Sequence, residues 1–336
     1  MQRRHLLTML PAASILGSPL VAQDGSDNSA WESWKSAFLE PDGRVVDFLQ
    51  DGVSHSEGQG WAMLLAAHAD DEGGFKQIFD WTERNLAVRH DPLLAWRWRP
   101  EEGVTDYNNA SDGDIFYAWS LLVASRRFGV RAYAERASEV ARAIDEIVVR
   151  DAPGGGLLLR PAAEQFSKNG GEIVNPSYTM PVALHSLGGA FGLPRLGQVA
   201  DDGEALIARI AESGLVPDWV AVDANGWRPA ESGPLYSYDA MRVALYLVWS
   251  GRYAHPGVTQ VRALFDDTSL APAVSADPAT LEVLERSEQV GYAALSDLIL
   301  QTTSAAPQTP VRDFTADQPY YPATLHLLTL LAEKAI

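Results

Sequence analysis

From Gly58 onward apolar residues recur every three to four positions through most of the chain, the spacing of helices that bury one face. Strand-like alternation is scarce and short. The pattern predicts helices over 58–69, 75–87, 112–128, 132–149, 178–191, 204–213, 238–249, 256–265, 288–302 and 323–334. Between them lie segments rich in Gly, Pro, Trp and Asn, at 89–109, 151–175 and 217–234. These are too long to be turns, and ordered loops on a helical scaffold are where binding groups gather. The chain therefore reads as all-α, with helices in pairs joined by loops that could line one face. No repeat of fixed period marks a solenoid. Helical pairs closing into a ring fit the pattern, which by itself does not establish closure.

The N-terminus stands apart. Arg3 and Arg4 precede an apolar run from Leu6 to Leu16, followed by Gly17, Ser18, Pro19 and the small residue Ala22. That order predicts a secretory signal peptide over 1–22, ahead of a single domain at 23–336, and hence a periplasmic or secreted product. The paired arginines also suit the twin-arginine route. The competing reading is an ordinary buried first helix. No later run is long and apolar enough to span a membrane.

Composition narrows the function. A formal net charge of −18 argues against non-specific binding to nucleic acid or to an anionic membrane. Removing the leader takes away two arginines and no acid, so the remainder is more acidic still. A neutral or cationic substrate suits such a chain better than a polyanion. The absence of cysteine excludes thiolate metal sites and cysteine nucleophiles. Histidines are scattered with no His-x-x-x-His pair, so no metal and no cofactor is expected. Asp70-Asp71-Glu72 reads as a solvated turn, and Gly154-Gly155-Gly156 lacks the Lys-Ser/Thr of a phosphate loop.

Three acids share one setting, the first turn of an apolar helix. Ser54 and Glu57 have the Ser-x-x-Glu spacing of a capping box, Ser111 precedes Asp112, and Ser237 precedes Asp239. Such acids meet the positive end of the helix dipole, so an ordinary stabilising role competes with a chemical one at each.

Four ordered segments carry a resemblance: Ser56-Glu57-Gly58-Gln59, Asn109-Ala110-Ser111-Asp112-Gly113-Asp114, Asn175-Pro176-Ser177-Tyr178 and Tyr238-Asp239-Ala240-Met241-Arg242. In order and spacing the chain resembles glycoside hydrolase family 8. With Asp42-Gly43-Arg44-Val45-Val46-Asp47 it is most similar to the family's periplasmic endoglucanases encoded beside bacterial cellulose synthases. The resemblance implies an (α/α)6 barrel of six helical hairpins, with a cleft across one end for a β-1,4-glucan chain. It implies hydrolysis with inversion, Glu57 being the general acid, Asp239 the general base and Asp112 the residue that positions and distorts the sugar. Tyr178 and Arg242 fall in the matching motifs as site-lining residues. The cellulose synthase complex is the implied partner. Family members acting on xylan, chitosan or mixed-linkage glucan, and a non-catalytic glucan-binding component on the same scaffold, are the alternatives.

The chemistry asks for the same residue types. Inversion needs two carboxyl groups roughly 6.5–9.5 Å apart so that a water fits beside the sugar. A helix N-terminus favours the ionised form, which suits a base and opposes an acid, so something must raise the pKa of Glu57. Trp61 and Asp112 are the candidates. Capping is then expected from Ser54 or Ser56, with Glu57 turned into the cleft.

Aromatic faces can stack on glucose rings. Trp31, Trp34, Trp96, Tyr107, Trp219, Trp227 and Tyr236 lie near predicted loops or helix ends, and Trp96, Tyr107 and Asn109 are the further substrate-binding candidates. Burial is expected for Trp81, Trp98, Trp119 and Trp249. His55, beside Glu57, is expected behind the site or on the surface.

Overall fold

The computed structural model describes residues 24–168, 170–265, 271–303 and 310–336; the expected leader at 1–22 lies outside them. Eleven helices are present among the described residues: α1 (Asp24–Phe38), α2 (Ser56–His68), α3 (Glu72–Asn85), α4 (Ser111–Arg127), α5 (Arg131–Ala143), α6 (Pro181–Phe191), α7 (Pro194–Ala211), α8 (Met241–Trp249), α9 (Pro256–Thr259), α10 (Val290–Thr303) and α11 (Tyr320–Glu333).

Two kinds of helix build two layers. In α3 the buried residues Phe75, Ile78, Trp81 and Thr82 form one stripe, as do Tyr133, Ala137, Val140 and Ala141 in α5. Such helices cover a core. By contrast α2, α4, α8 and α11 are buried along most of their length and on all sides, so they must lie between other helices. They do so as a closed ring, in which α2 packs on α4, α4 on α6, α6 on α8, α8 on α10, α10 on α11 and α11 back on α2. Outside it α3 backs α2, α5 backs α4, α7 backs α6, α9 backs α8 and α1 backs α11. The fold is a double ring of the (α/α)6 type. Between α10 and α11 the described residues 310–319 form no helix.

Short antiparallel strands occupy the connections. Val149–Asp151 pairs with Leu157–Leu159, Ala273–Ala276 with Val283–Arg286, and Ser54–His55 with Arg97–Trp98. A four-stranded sheet runs in the order Ser167–Lys168, Gly171–Val174, Val220–Asp223, Gly226–Pro229. The long loops read from sequence are thus partly stiffened by backbone ladders. Among the described residues no helix is long and apolar enough to cross a membrane.

The predicted helices match apart from α1, the first half of α7, the end of 132–149, where 144–148 is a π turn, and 256–265, where only 256–259 is α-helical and 261–264 is a 3₁₀ turn. Trp31, Trp34 and Phe38 follow one face of α1 and are buried, so Trp31 and Trp34 are core and not a binding platform; Tyr236 is buried too. Trp81, Trp119 and Trp249 are buried as expected.

Candidate active site

Ring helices present their N-terminal ends to one cavity of about 540 Å³. Glu57 of α2, Asp112 of α4, Arg242 of α8, Tyr292 of α10 and Tyr321 of α11 line it, with Tyr178 from the turn before α6 and Asp239 from the turn before α8. Residues as far apart in sequence as Glu57 and Tyr321 meet because the ring closes.

The approach of Glu57 is set by backbone, not by a side-chain cap. Ser56 N–H donates to the Trp96 carbonyl at 3.0 Å, and the Ser54–His55 strand ends where α2 begins. The N-cap is His55, whose side chain makes no capping bond. Ser54 Oγ donates to the Val45 carbonyl at 2.5 Å, and Ser56 Oγ is buried without a protein partner, so neither serine caps the helix. The capping-box reading fails, and the Glu57 carboxylate turns into the cleft. Ser111 likewise gives its hydroxyl to the Arg160 carbonyl and does not cap α4. Ser237 is no cap either: α8 begins only at Met241, and the turn carrying Asp239 is held by Asp218, whose Oδ1 accepts Ser237 N–H at 3.0 Å and Ala240 N–H at 2.7 Å.

Burial pushes the Glu57 carboxyl well above the carboxylate range. Arg242 opposes this, while the neighbouring Asp112, hydrogen-bonded to Glu57, and Asp239 add to it. Burial raises Asp112 too, against its bonds to Glu57 and to the Gly113 N–H at 2.8 Å. Burial thus raises both carboxyls, and the bond between them favours the proton on Glu57. Trp61, the other candidate for raising Glu57, is a buried ring beneath the site, with the Arg242 guanidinium 5.7 Å from its centre.

Asp239 is held differently. Oδ1 accepts Arg242 Nη2 at 2.8 Å, and Oδ2 accepts Asn175 Nδ2 at 3.0 Å and Trp219 Nε1 at 3.1 Å. Arg242 has only 5% of its side chain exposed and also receives Ser177 Oγ as acceptor at 3.0 Å. Burial works against its charge, but Glu57, Tyr321 and Asp239 more than offset that, so it stays a guanidinium. Tyr178 is kept a neutral phenol by burial and by the acidic groups of Asp112, Asp239 and Glu57 around it.

One substrate-binding expectation needs correction. Asn109 is 3% exposed with both ends of its amide used, Nδ2 on Asp114 Oδ2 at 2.8 Å and Oδ1 on Ala163 N–H at 2.7 Å; it braces the wall and does not face the cleft. Tyr107 does not line this cavity; its ring is 58% exposed, and its part in substrate binding stays an expectation. Trp96 does line the cavity, with the Arg97 guanidinium 4.2 Å from its ring centre and the His55 ring stacked at 5.8 Å. Burial holds the His55 pKa down to about 4, so it is neutral at neutral pH. Trp98 is half-buried against Trp81 and Arg44. Asp70 pairs with Arg127, and Asp71 caps α3 and pairs with Lys35 at 2.7 Å, which accounts for that acidic turn.

Sequence reading missed Tyr292 and Tyr321, whose helices lie outside the quoted motifs. It also did not connect Asn175 and Trp219 with Asp239, a contact made only by tertiary folding.

A cleft floored by two buried carboxyls with raised pKa values and a third carboxyl clamped by N–H donors, with aromatic walls, has the residue types that glycoside hydrolysis needs. The family model for glycosyl hydrolases family 8 matches residues 8–335, and the chain belongs to that family. A probable endoglucanase of Novacetimonas hansenii is 34% identical over 97% of this chain and 97% of its own length. An endoglucanase of Cellulomonas uda is 35% identical over 66% of this chain, a match spanning 63% of that protein. The crystal structure of endoglucanase Cel10, from Klebsiella pneumoniae, superposes with a TM-score of 0.81 at 31% identity, covering 91% of this chain and 99% of that one.

Proposed function

We propose that the protein is an exported endo-β-1,4-glucanase that cleaves cellulose or a related β-glucan with inversion, in the periplasm, in connection with cellulose synthesis. The observation that carries the catalytic assignment is the unequal environment of two carboxyls on one guanidinium: Glu57, raised by burial and Asp112, and Asp239, held by three donors. Glu57 protonates the leaving glycosidic oxygen. Asp239 takes the proton of the attacking water, and Asp112 holds the sugar on the non-reducing side of the scissile bond. Tyr178 donates its hydroxyl within the site, and Trp96 offers an aromatic surface for a sugar ring. The endoglucanase names of the relatives support a β-1,4-glucan as substrate.

Inversion makes a geometric demand. Arg242 Nη2 is 2.8 Å from Asp239 Oδ1 and 3.5 Å from Glu57 Oε1, so these oxygens are at most about 6.3 Å apart. That ceiling, set for one oxygen of each group, lies below the roughly 6.5–9.5 Å between the carboxyl groups of inverting enzymes, so inversion requires the pair to part when sugar and water enter. Reducing ends released from carboxymethyl-cellulose test the activity, and the anomer of the first product tests the stereochemistry. Glu57→Gln is expected to lower kcat by ~10²–10⁴-fold, the usual contribution of a general acid. Binding of glucan with no cleavage by the wild-type protein would reject the enzymatic reading, and a β-configured first product would reject inversion. Export is tested by sequencing the N-terminus of the periplasmic protein, expected to begin at Gln23, and the link to synthesis by co-purification with the cellulose synthase complex.

A further inference from the structure

Asp218 and Trp219 lie 21 and 20 residues before Asp239 and outside the four motifs, yet one reaches its turn and the other its carboxylate. Trp219 donates its indole N–H to Asp239 Oδ2 at 3.1 Å, while Asp218 Oδ1 accepts the N–H groups of Ser237 and Ala240, on either side of Tyr238-Asp239. One residue holds the carboxylate and its neighbour holds the backbone that carries it.

The dipeptide is itself immobilised. Asp218 N–H donates to the Leu235 carbonyl at 2.7 Å, Trp219 N–H to the Gly233 carbonyl at 3.0 Å, and the Trp219 carbonyl accepts Ala230 N–H at 2.9 Å. The indole stacks on Phe166, with centres 5.6 Å apart and planes 8° from parallel, and meets the Tyr178 ring edge-on at 6.0 Å. A Cβ at Gly233 would lie 2.4 Å from Trp219 Cδ1, so the ring edge rests on bare backbone there. With its faces and edge fixed, the N–H has one direction.

An ionised carboxylate offers about four lone-pair positions. Arg242, Asn175 and Trp219 take three on Asp239, leaving one for a water. Without the indole the carboxylate keeps one donor on each oxygen and gains a second free position. The water is then no longer confined to one line of attack.

We propose that Asp218 and Trp219 are paired positioning residues for the base, one fixing the turn that carries Asp239 and the other fixing the rotation of its carboxylate. This rests on Asp239 being the base. It also gives Trp219 a role distinct from a sugar platform, which would act on binding.

The test is steady-state kinetics on a soluble β-glucan with a melting curve for each variant. Trp219→Phe keeps the ring stack and removes the N–H; it is expected to lower kcat ~10–100-fold, the scale of a small misplacement of a catalytic group, with KM changed less than about threefold. Gly233→Ala, which keeps the N–H but pushes the ring aside, is expected to lower kcat in the same way. Asp218→Ala should lose kcat, whereas Asp218→Asn, retaining an oxygen for both N–H donors, should restore most of it. Wild-type kcat in Trp219→Phe and Asp218→Ala, alongside an inactive Asp239→Asn, would overturn the pairing and leave the base assignment standing. A raised KM with unchanged kcat in Trp219→Phe would also overturn it, making Trp219 a platform. An Asp239→Asn protein that still turns over would overturn the base assignment and this inference together.

Discussion

At the scale of single residues the deciding quantity is where protons sit. Glu57 occupies the first turn of α2, where the dipole should favour ionisation, yet burial and Asp112 prevail. An acid catalyst is lost as pH rises through its pKa, so Glu57, as the proposed general acid, is expected to set the basic limb of the rate profile. Asp112→Asn removes one of the groups that raise Glu57, and its basic limb should move to lower pH in whatever activity remains. A limb that stays in place in kcat/KM against pH would show that Asp112 does not act on Glu57. Asp114, wholly buried, has its pKa pushed up to about 7 by burial, against bonds from Leu94 N–H and Asn109. Its folded value lies above its ordinary 3.8, so the folded state binds the proton more tightly. The corresponding stability is fully present below about pH 4 and lost as pH rises through about 7. Asp114→Asn should remove that slope. It should also cost about 1–3 kcal/mol at low pH, because an amide NH₂ then faces an N–H donor with no acceptor between them. Urea unfolding at several pH values measures both. The sequence named Glu57, Asp112 and Asp239, but it could not tell that Asn109 spends its amide on Asp114, because that depends on which way a loop side chain turns.

At the scale of elements, the site exists because helix starts converge, and small residues permit it. A Cβ on Gly113 of α4 would lie 2.2 Å from Ser56 Oγ and 2.7 Å from the Glu57 backbone nitrogen. The two N-termini carrying Glu57 and Asp112 are therefore in direct contact, which brings the two hydrogen-bonded carboxyls together. Gly113→Ala should push α2 and α4 apart, break that hydrogen bond and lower kcat ~10²-fold. It should also destabilise the fold by about 1–3 kcal/mol through overpacking. Kinetics and melting together separate the two effects, and an active variant with wild-type stability would contradict the contact. Helices with strong apolar periodicity were legible in the sequence because burial on one or both sides writes itself into the pattern. Caps were not. Ser54, Ser111 and Ser237 look like caps by spacing, yet strand pairing orders the start of α2 and Asp218, 19 residues before Ser237, supplies the bonds ahead of α8. Helix α1 was also missed: its polar start resembles a loop, although Trp31, Trp34 and Phe38 carry helical spacing.

For the whole molecule the question is what closes the ring. Periodicity predicts helices and their pairing but carries no term for the meeting of first and last elements, so closure entered the sequence reading only through family resemblance. In the structure α11 closes the ring on α2, and α1 backs α11 at that seam. Trp34, fully buried, donates its indole N–H to Thr324 Oγ1 at 3.0 Å, stacks on Trp31 and packs against Phe38 and Tyr320. Tyr320 precedes the cleft residue Tyr321, so the staple at the back of the ring and the lining at its front belong to one helix. Trp34→Ala should cost about 3–5 kcal/mol, the range for emptying a large aromatic site. Trp34→Phe leaves most of the ring and should cost less; both variants lose the indole N–H bond to Thr324, whose hydroxyl still donates to the Tyr320 carbonyl at 2.7 Å. If the seam is part of one cooperative unit, helical circular dichroism and loss of cleavage will fall together on heating, both at a lower temperature than in the wild type. If α1 instead comes away on its own, activity and most of the helical signal will survive a first, small transition.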